Sequence, residues 1–264
     1  AEKFFEIEYA PPRNGAPHDT LYVPFSQKKK IDLYIGFETP TIHRLGGSIW
    51  INTRSKARED IEVFAKELLE IYGKRAVVKR IPLHPDTELE EKFSHSFPYQ
   101  ETPDQKKAIE EILSDLASDT PMDRVLAGDV GFGKTEVAFR AILRAAVNSR
   151  QSILLAPTTV LVEEHTRTMK ERFQNFPIRV ESLSRLTNPR KEKMIIQDFL
   201  DGRIDCLVGT HRILSKDIIH SLQEQGKKSA VCLLIIDEEQ RFGVKQKEIF
   251  KNIRPDINIL SISA

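Results

Sequence analysis

From residue 97 onward, short, largely apolar runs alternate with longer stretches whose apolar residues recur every three or four positions. The runs at 124–127, 153–156, 178–183, 206–208, 231–236 and 257–261 read as strands, and the stretches at 133–147, 160–173 and 189–200 read as helices. A further helix opens at Thr102-Pro103-Asp104-Gln105, with Thr as N-cap, Pro in the first turn and Gln at the capping-box position. Its apolar stripe is Ile109, Ile112, Leu113 and Leu116. Short, largely apolar strands separated by helices predict an α/β fold, a mostly parallel sheet covered on both faces.

The upstream third has a different texture. Residues 1–50 read as short strands, Phe4 to Tyr9 and Leu21 to Val23, joined by a turn-rich loop containing Pro11, Pro12, Asn14, Gly15 and Pro17. So few strands make a poor core on their own, so this piece is expected to need a neighbour or further strands. Residues 55–72 carry Ile61, Phe64, Ala65, Leu68, Leu69 and Tyr72 at helical spacing, with Gly73 placed to end the helix. Residues 74–96, with Pro82 and Pro85, read as a connector holding a short helix at 88–93. The expected domains are therefore a partial β module (1–50), a helix and linker (51–96) and an α/β unit (97–264).

Composition narrows the class. With 40% hydrophobic and 30% charged residues the chain is an ordinary globular one, not a disordered one. A net charge of +1 argues neither for nor against nucleic acid, because a local basic face can sit inside a balanced total. Cys206 and Cys232 lie in apolar runs and are expected to be buried thiols in a reducing cytosol, not a disulfide or a metal pair. The longest apolar run, 230–236, is far short of a membrane span, and the start AEKFFEIEYA lacks the layout of a secretion signal, so a cytoplasmic protein is expected. The chain does not start with Met and stops inside an apolar strand pattern, which suggests an excised fragment.

Two motifs carry chemistry. Gly128-Asp129-Val130-Gly131-Phe132-Gly133-Lys134-Thr135 fits the phosphate-loop pattern G-x-x-x-x-G-K-[ST]. Glycines let the backbone curl its N–H groups toward phosphate oxygens, and the helix that follows adds its positive end. Lys134 is expected to reach the β and γ phosphates of ATP and Thr135 to ligate Mg. An apolar strand before the loop and an amphipathic helix after it supply the context the pattern needs. The second motif, Asp237-Glu238-Glu239-Gln240, follows four apolar residues, so a buried strand delivers acids to the carboxyl edge of the sheet. Asp237 is placed to hold Mg and Glu238 to orient and deprotonate the attacking water.

At these residues the chain resembles the superfamily 2 helicases and translocases. The stretches FPYQETPDQKKAIEEILSD, MDRVLAGDVGFGKTEVAFRA, LAPTTVLVEEHTRTMKERF, DCLVGTHRILS and LLIIDEEQRFGVKQKE look like the first motor domain of that group, in order, over 97–264. The resemblance is to bacterial transcription-repair coupling factors first and RecG-type branch-migration helicases second. It implies a RecA-like domain and an ATP-driven translocase on double-stranded DNA that displaces stalled RNA polymerase. It implies that Phe97 and Gln105 read the adenine, although Gln105 is equally a capping-box residue. It also implies that Pro157, Thr158, Thr159, Gly209, Thr210 and His211 touch the DNA backbone, with ordinary helix capping as the alternative for them, and that Gln240 and Arg241 link ATP state to those contacts. Arg185 and Lys191 are basic and fit the same path, but read alone as solvated charges. The family usually has His where this chain has Gln240, and Gln can still hydrogen-bond near the γ-phosphate.

The upstream stretches FFEIEYA, TLYVPFSQKKKIDLY and IHRLGGSIW, with the helix ending AKELLEIYGKRA, look like that factor's polymerase-interacting Tudor-like module and relay helix. The implied partners are the RNA polymerase β subunit and the other domains of the parent, and the alternative for the chain as it stands is a polymerase-docking module without independent activity. The module's first strands are missing, which puts polymerase binding by this piece in question. A second motor domain with an arginine finger is also absent. An arginine finger is worth about 10³–10⁵ in rate, so the isolated chain is expected to bind nucleotide weakly and hydrolyse it very slowly.

Overall fold

Successive residues of the central apolar strands face opposite sides of one sheet, which is why the runs show no polar alternation. In the computed structural model, which describes residues 3–11, 13, 16–33, 42, 44–45, 48–214, 230–242, 251 and 254–263, the chain divides into two compact units, Ala1–Glu67 and Leu68–Ala264.

In the first unit, β1 (Phe4–Glu8) pairs antiparallel with β2 (Thr20–Pro24). The Phe5 and Phe25 rings stack at 4.2 Å, and the Tyr22 hydroxyl donates to Glu6 Oε1 at 3.1 Å. Neither strand holds a fully buried residue. Parts of the predicted β module, at 34–41, 43, 46 and 47, lie outside the described residues.

Helix α1 (Ser48–Val77) does not stop at Gly73 as the sequence predicts. On either side of that glycine, Ile71 and Arg75 are buried, and the Tyr72 hydroxyl accepts from Lys251 Nζ at 2.9 Å. A mid-helix glycine costs only about 1 kcal/mol, which such anchoring offsets. Of the predicted apolar stripe, Ile61 and Leu69 are exposed.

The second unit continues through α2 (Thr87–His95), α3 (Pro103–Ala117), β3 (Asp123–Ala127), α4 (Lys134–Val147) and β4 (Gln151–Leu155). It goes on with α5 (Thr159–Arg172), β5 (Val180–Leu183), α6 (Pro189–Leu200), β6 (Cys206–Gly209), β7 (Val231–Asp237) and β8 (Asn258–Ser263). The sheet has six strands in the order β3-β8-β7-β4-β6-β5, and all five pairings are parallel. Along β7, Leu233 and Ile235 join one apolar cluster with Phe139, Ile142 and Met169 from α4 and α5. Leu234 and Ile236 join the other with Ile195 and Phe199 from α6. Helices therefore cover both faces.

Local signals place the helix starts. Thr102 caps α3 in a full capping box with Gln105, Thr158 caps α5, and Asn188 caps α6 ahead of Pro189. Cys206 is buried and Cys232 half-buried as whole residues, and desolvation pushes both thiols up to about 12. Both are free thiols. Among the described residues no helix is long and apolar enough to cross a membrane.

Candidate functional site

The loop between β3 and α4 contains Gly131 and Gly133 with φ of +85° and +69°. At Gly133 the left-handed backbone and a close approach coincide, since an added Cβ would lie 2.4 Å from Gln105 Nε2. Lys134 Nζ curls back to donate to the carbonyls of Gly128 and, at 2.8 Å, Asp129. Val130 and Phe132 project into solvent. Thr135 stands in the first turn of α4, whose positive end points at the loop. Curled backbone, helix N-terminus and ammonium together form a cradle suited to a polyphosphate.

The register brings the acidic motif to the same edge. Ala127 at the end of β3 pairs with Ser263, and Asp237 at the end of β7 pairs with Ile262 of the same intervening strand. The two motifs thus flank β8 at one level, about two strand spacings or ~10 Å apart. Asp237 Oδ1 accepts the Glu238 N–H at 3.0 Å, and Oδ2 lies 2.6 Å from His165 Nε2. Glu238 holds φ 49° and ψ 55°, a left-handed conformation that costs a non-glycine residue about 1–3 kcal/mol and clusters at functional sites. Among the described residues its buried Oε2 has no hydrogen-bond partner, although Arg241 Nε sits 2.6 Å away as an ion pair. Gln240 Oε1 accepts from Ser263 Oγ at 3.2 Å, tying the motif to the end of β8. The continuation of the motif from 243 to 250 lies outside the described residues.

A cleft of about 950 Å³ adjoins the loop, lined among others by Phe97, Tyr99, Gln105, Thr135 and Arg172. Phe97 packs edge-on against Tyr99 at 5.5 Å. Gln105 does two things at once. Its Oε1 accepts the Thr102 N–H at 2.8 Å to close the capping box, and its Nε2 donates to the Phe132 carbonyl at 2.8 Å. Behind the cleft is a buried ion network that sequence reading missed. Glu136 accepts from Arg140 Nε at 2.7 Å and from Arg172 Nε at 2.9 Å, and Arg140 also reaches Glu101. Arg172 stacks on Phe93 at 3.6 Å and donates to the Phe93 carbonyl, fixing the end of α2 beside Phe97. The i, i+4 spacing of Glu136 and Arg140 was the one local signal for this network. Arg172 and His165 carry no local signal.

The loops after β4 and β6 stand next along the same edge, because Leu155 pairs with both Ile236 and Gly209. Pro157, Thr158 and Thr159 follow β4, and the Thr158 hydroxyl accepts the Leu161 N–H at 3.2 Å. Gly209 is held close, since an added Cβ would meet the Leu183 carbonyl at 2.5 Å. Thr210 is buried and His211 exposed. Arg185 and Lys191 are exposed. Among the described residues no group of three or more His, Cys, Asp or Glu side chains forms a metal cage. One carboxylate (Asp237) and one hydroxyl (Thr135) suit Mg, which keeps waters and shares phosphate oxygens rather than demanding an all-protein cage.

Residues 102–264 match the DEAD/DEAH box helicase family, and the chain belongs to it. Among curated proteins it is similar to the transcription-repair-coupling factor of Borreliella burgdorferi, with 44% identity over 99% of this chain and 22% of that protein. The factor of Bacillus subtilis is 42% identical over 93% of this chain and 20% of its own length, and that of Mycobacterium tuberculosis 38% over 99% and 21%. The chain thus spans about a fifth of the length of the curated relatives it matches. Among solved structures, RecG bound to a three-way DNA junction superposes with a TM-score of 0.61 and 32% identity, over 81% of this chain and 28% of that one. The DUF1998 helicase MrfA shares the fold, with a TM-score of 0.50 and 13% identity over 69% of this chain and 30% of its own.

Proposed function

We propose that this chain is the nucleotide-binding half of an ATP-driven motor on double-stranded DNA, working in the cytoplasm within a protein that displaces stalled RNA polymerase during transcription-coupled repair. The observation that carries the reading is the common level of the phosphate cradle and the strained Asp237-Glu238 pair on either side of β8. In this reading Gly128, Asp129, Val130, Gly131, Phe132 and Gly133 wrap the phosphates with backbone N–H groups. Lys134 leaves its two loop carbonyls for the β and γ phosphates. Phe97 and Gln105 contact the adenine from the neighbouring cleft. Thr135 and Asp237 would hold Mg, which supplies neutralisation of the developing phosphate charge. Glu238 takes the proton from the attacking water.

Pro157, Thr158, Thr159, Gly209, Thr210 and His211 meet DNA phosphates along the adjoining stretch of the edge, where contacts position the duplex without reading bases. Gln240 and Arg241 connect the acidic motif to that path. The polymerase-docking role belongs to the β1–β2 module and is carried by the similarity of nearly the whole chain, N-terminal strands included, to transcription-repair-coupling factors. A RecG-type branch-migration helicase is the second reading, favoured by the 32% identity to RecG, but that match covers less of this chain. ATP hydrolysis by the intact protein, with and without duplex DNA, tests the proposal. Duplex DNA is expected to stimulate turnover and Lys134→Ala to abolish it. Unchanged turnover in Lys134→Ala would remove the motor reading, and preference for forked over plain duplex would favour the second.

A further inference from the structure

Helix α5 touches both halves of the carboxyl edge. Its N-cap is Thr158, seven residues on is His165, and seven further is Arg172. Residues seven apart lie nearly two full turns apart, so these three share one face of the helix. Thr158 stands in the loop assigned to DNA. His165 Nε2 lies 2.6 Å from Asp237 Oδ2, with only 12% and 15% of the two side chains exposed. Arg172 grips Glu136, the neighbour of Thr135. The helix between is anchored, with Val162 and Met169 buried and the Thr166 hydroxyl donating to the Val162 carbonyl.

Both Asp237 oxygens are therefore committed, Oδ1 to the Glu238 N–H and Oδ2 to an imidazole delivered by a different element. Two donors from two directions fix the plane of a carboxylate. The Glu238 donor is local and moves with the motif. The His165 donor moves with α5, and so with the strand-end loop at Thr158.

We infer that His165 is a positioning residue, which sets the Asp237 carboxylate for the metal and passes displacements of the Thr158 loop to it. The inference rests on the reading of Asp237 as a Mg ligand and of the Thr158 loop as a DNA contact. Outer-sphere partners of metal-holding groups typically affect metal affinity by about 10–100-fold, which sets the size of the effect.

The test is binding of a fluorescent ATP analogue to the chain, in EDTA and across a Mg²⁺ titration, with and without a short DNA duplex. His165→Asn removes the contact, because its amide stops short of the Nε2 position. His165→Gln restores it, because its amide nitrogen reaches about that position. The expected result is a Mg²⁺ midpoint raised about 10–100-fold in His165→Asn, metal-free affinity equal to wild type, and recovery in His165→Gln. Duplex DNA is expected to shift the wild-type midpoint by about 5-fold or more and to leave that of His165→Asn in place. An unchanged midpoint in His165→Asn, or equal loss of metal-free binding, overturns the positioning role. A DNA effect missing in wild type, or undiminished in His165→Asn, overturns the transmission. Wild type that binds no analogue under any condition removes the nucleotide-site reading itself, and the inference with it.

Discussion

The two ends of the six-stranded sheet are built on opposite principles. At the amino end, charged side chains serve the backbone. Arg75 donates to the carbonyls of Pro255, Ile257 and Met122, and Arg80 to those of Thr120, Ile81, Asp115 and Leu116. Asn258 ties Met122 to Cys232. Burial lowers the pKa of the Arg80 guanidinium, yet its donors are met by carbonyls. A left-handed non-glycine backbone occurs at both ends, at Ser149 just before β4 and at Glu238 just after β7, but at the carboxyl end it coincides with polar groups that are less settled. Glu238 takes a left-handed backbone, its buried Oε2 has no hydrogen bond among the described residues, and the Lys134 ammonium rests on its own loop's carbonyls. One end spends its polar groups on closing the fold. The other keeps them strained or only provisionally satisfied, an arrangement suited to the exchange of partners proposed for it.

Three substitutions probe that contrast. The largest effect is expected where the carboxyl end rests on its buried frame. Glu136→Ala leaves Arg140 and Arg172 without their shared carboxylate, and urea unfolding should show a loss of about 3–5 kcal/mol. A loss below 1 kcal/mol would mean that the network is a bystander. At the amino end, Arg75→Ala strands buried carbonyls and should lower stability by about 1–3 kcal/mol. Affinity for the fluorescent nucleotide should stay the same, and a fall in affinity would show that the two ends are not separable. The smallest effect has the opposite sign. Glu238→Gly relieves the left-handed strain and should raise stability by about 1 kcal/mol, while the intact protein loses hydrolysis. Destabilisation by this change would mean that the conformation is not strained.

The features read most directly from the sequence are the local ones. The strands at β4, β6 and β7 are legible because both faces are covered, so each carries an apolar run, at 153–155, 206–208 and 231–236. The helix starts at Thr102, Thr158 and Asn188 are legible because a cap acts within three residues. The end of α1 is not, because the contacts carrying it past Gly73 come from Lys251 and from carbonyls at 122, 255 and 257. Gln105 shows the mixed case. Its capping role is written in the four residues from Thr102, while its bond to the Phe132 carbonyl joins positions 27 apart.

Sequence alone determined the phosphate loop, since glycines, lysine and threonine act within eight consecutive positions whose geometry is set by neighbouring dihedrals. It determined likewise that a buried strand ends in carboxylates. Folding in three dimensions decided which loops stand together along the edge. It also set His165 against Asp237, 72 residues away, and Arg172 against Glu136, 36 away. Those pairings follow from strand order and helix placement, and both depend on the packing of the whole sheet rather than on any window of the chain.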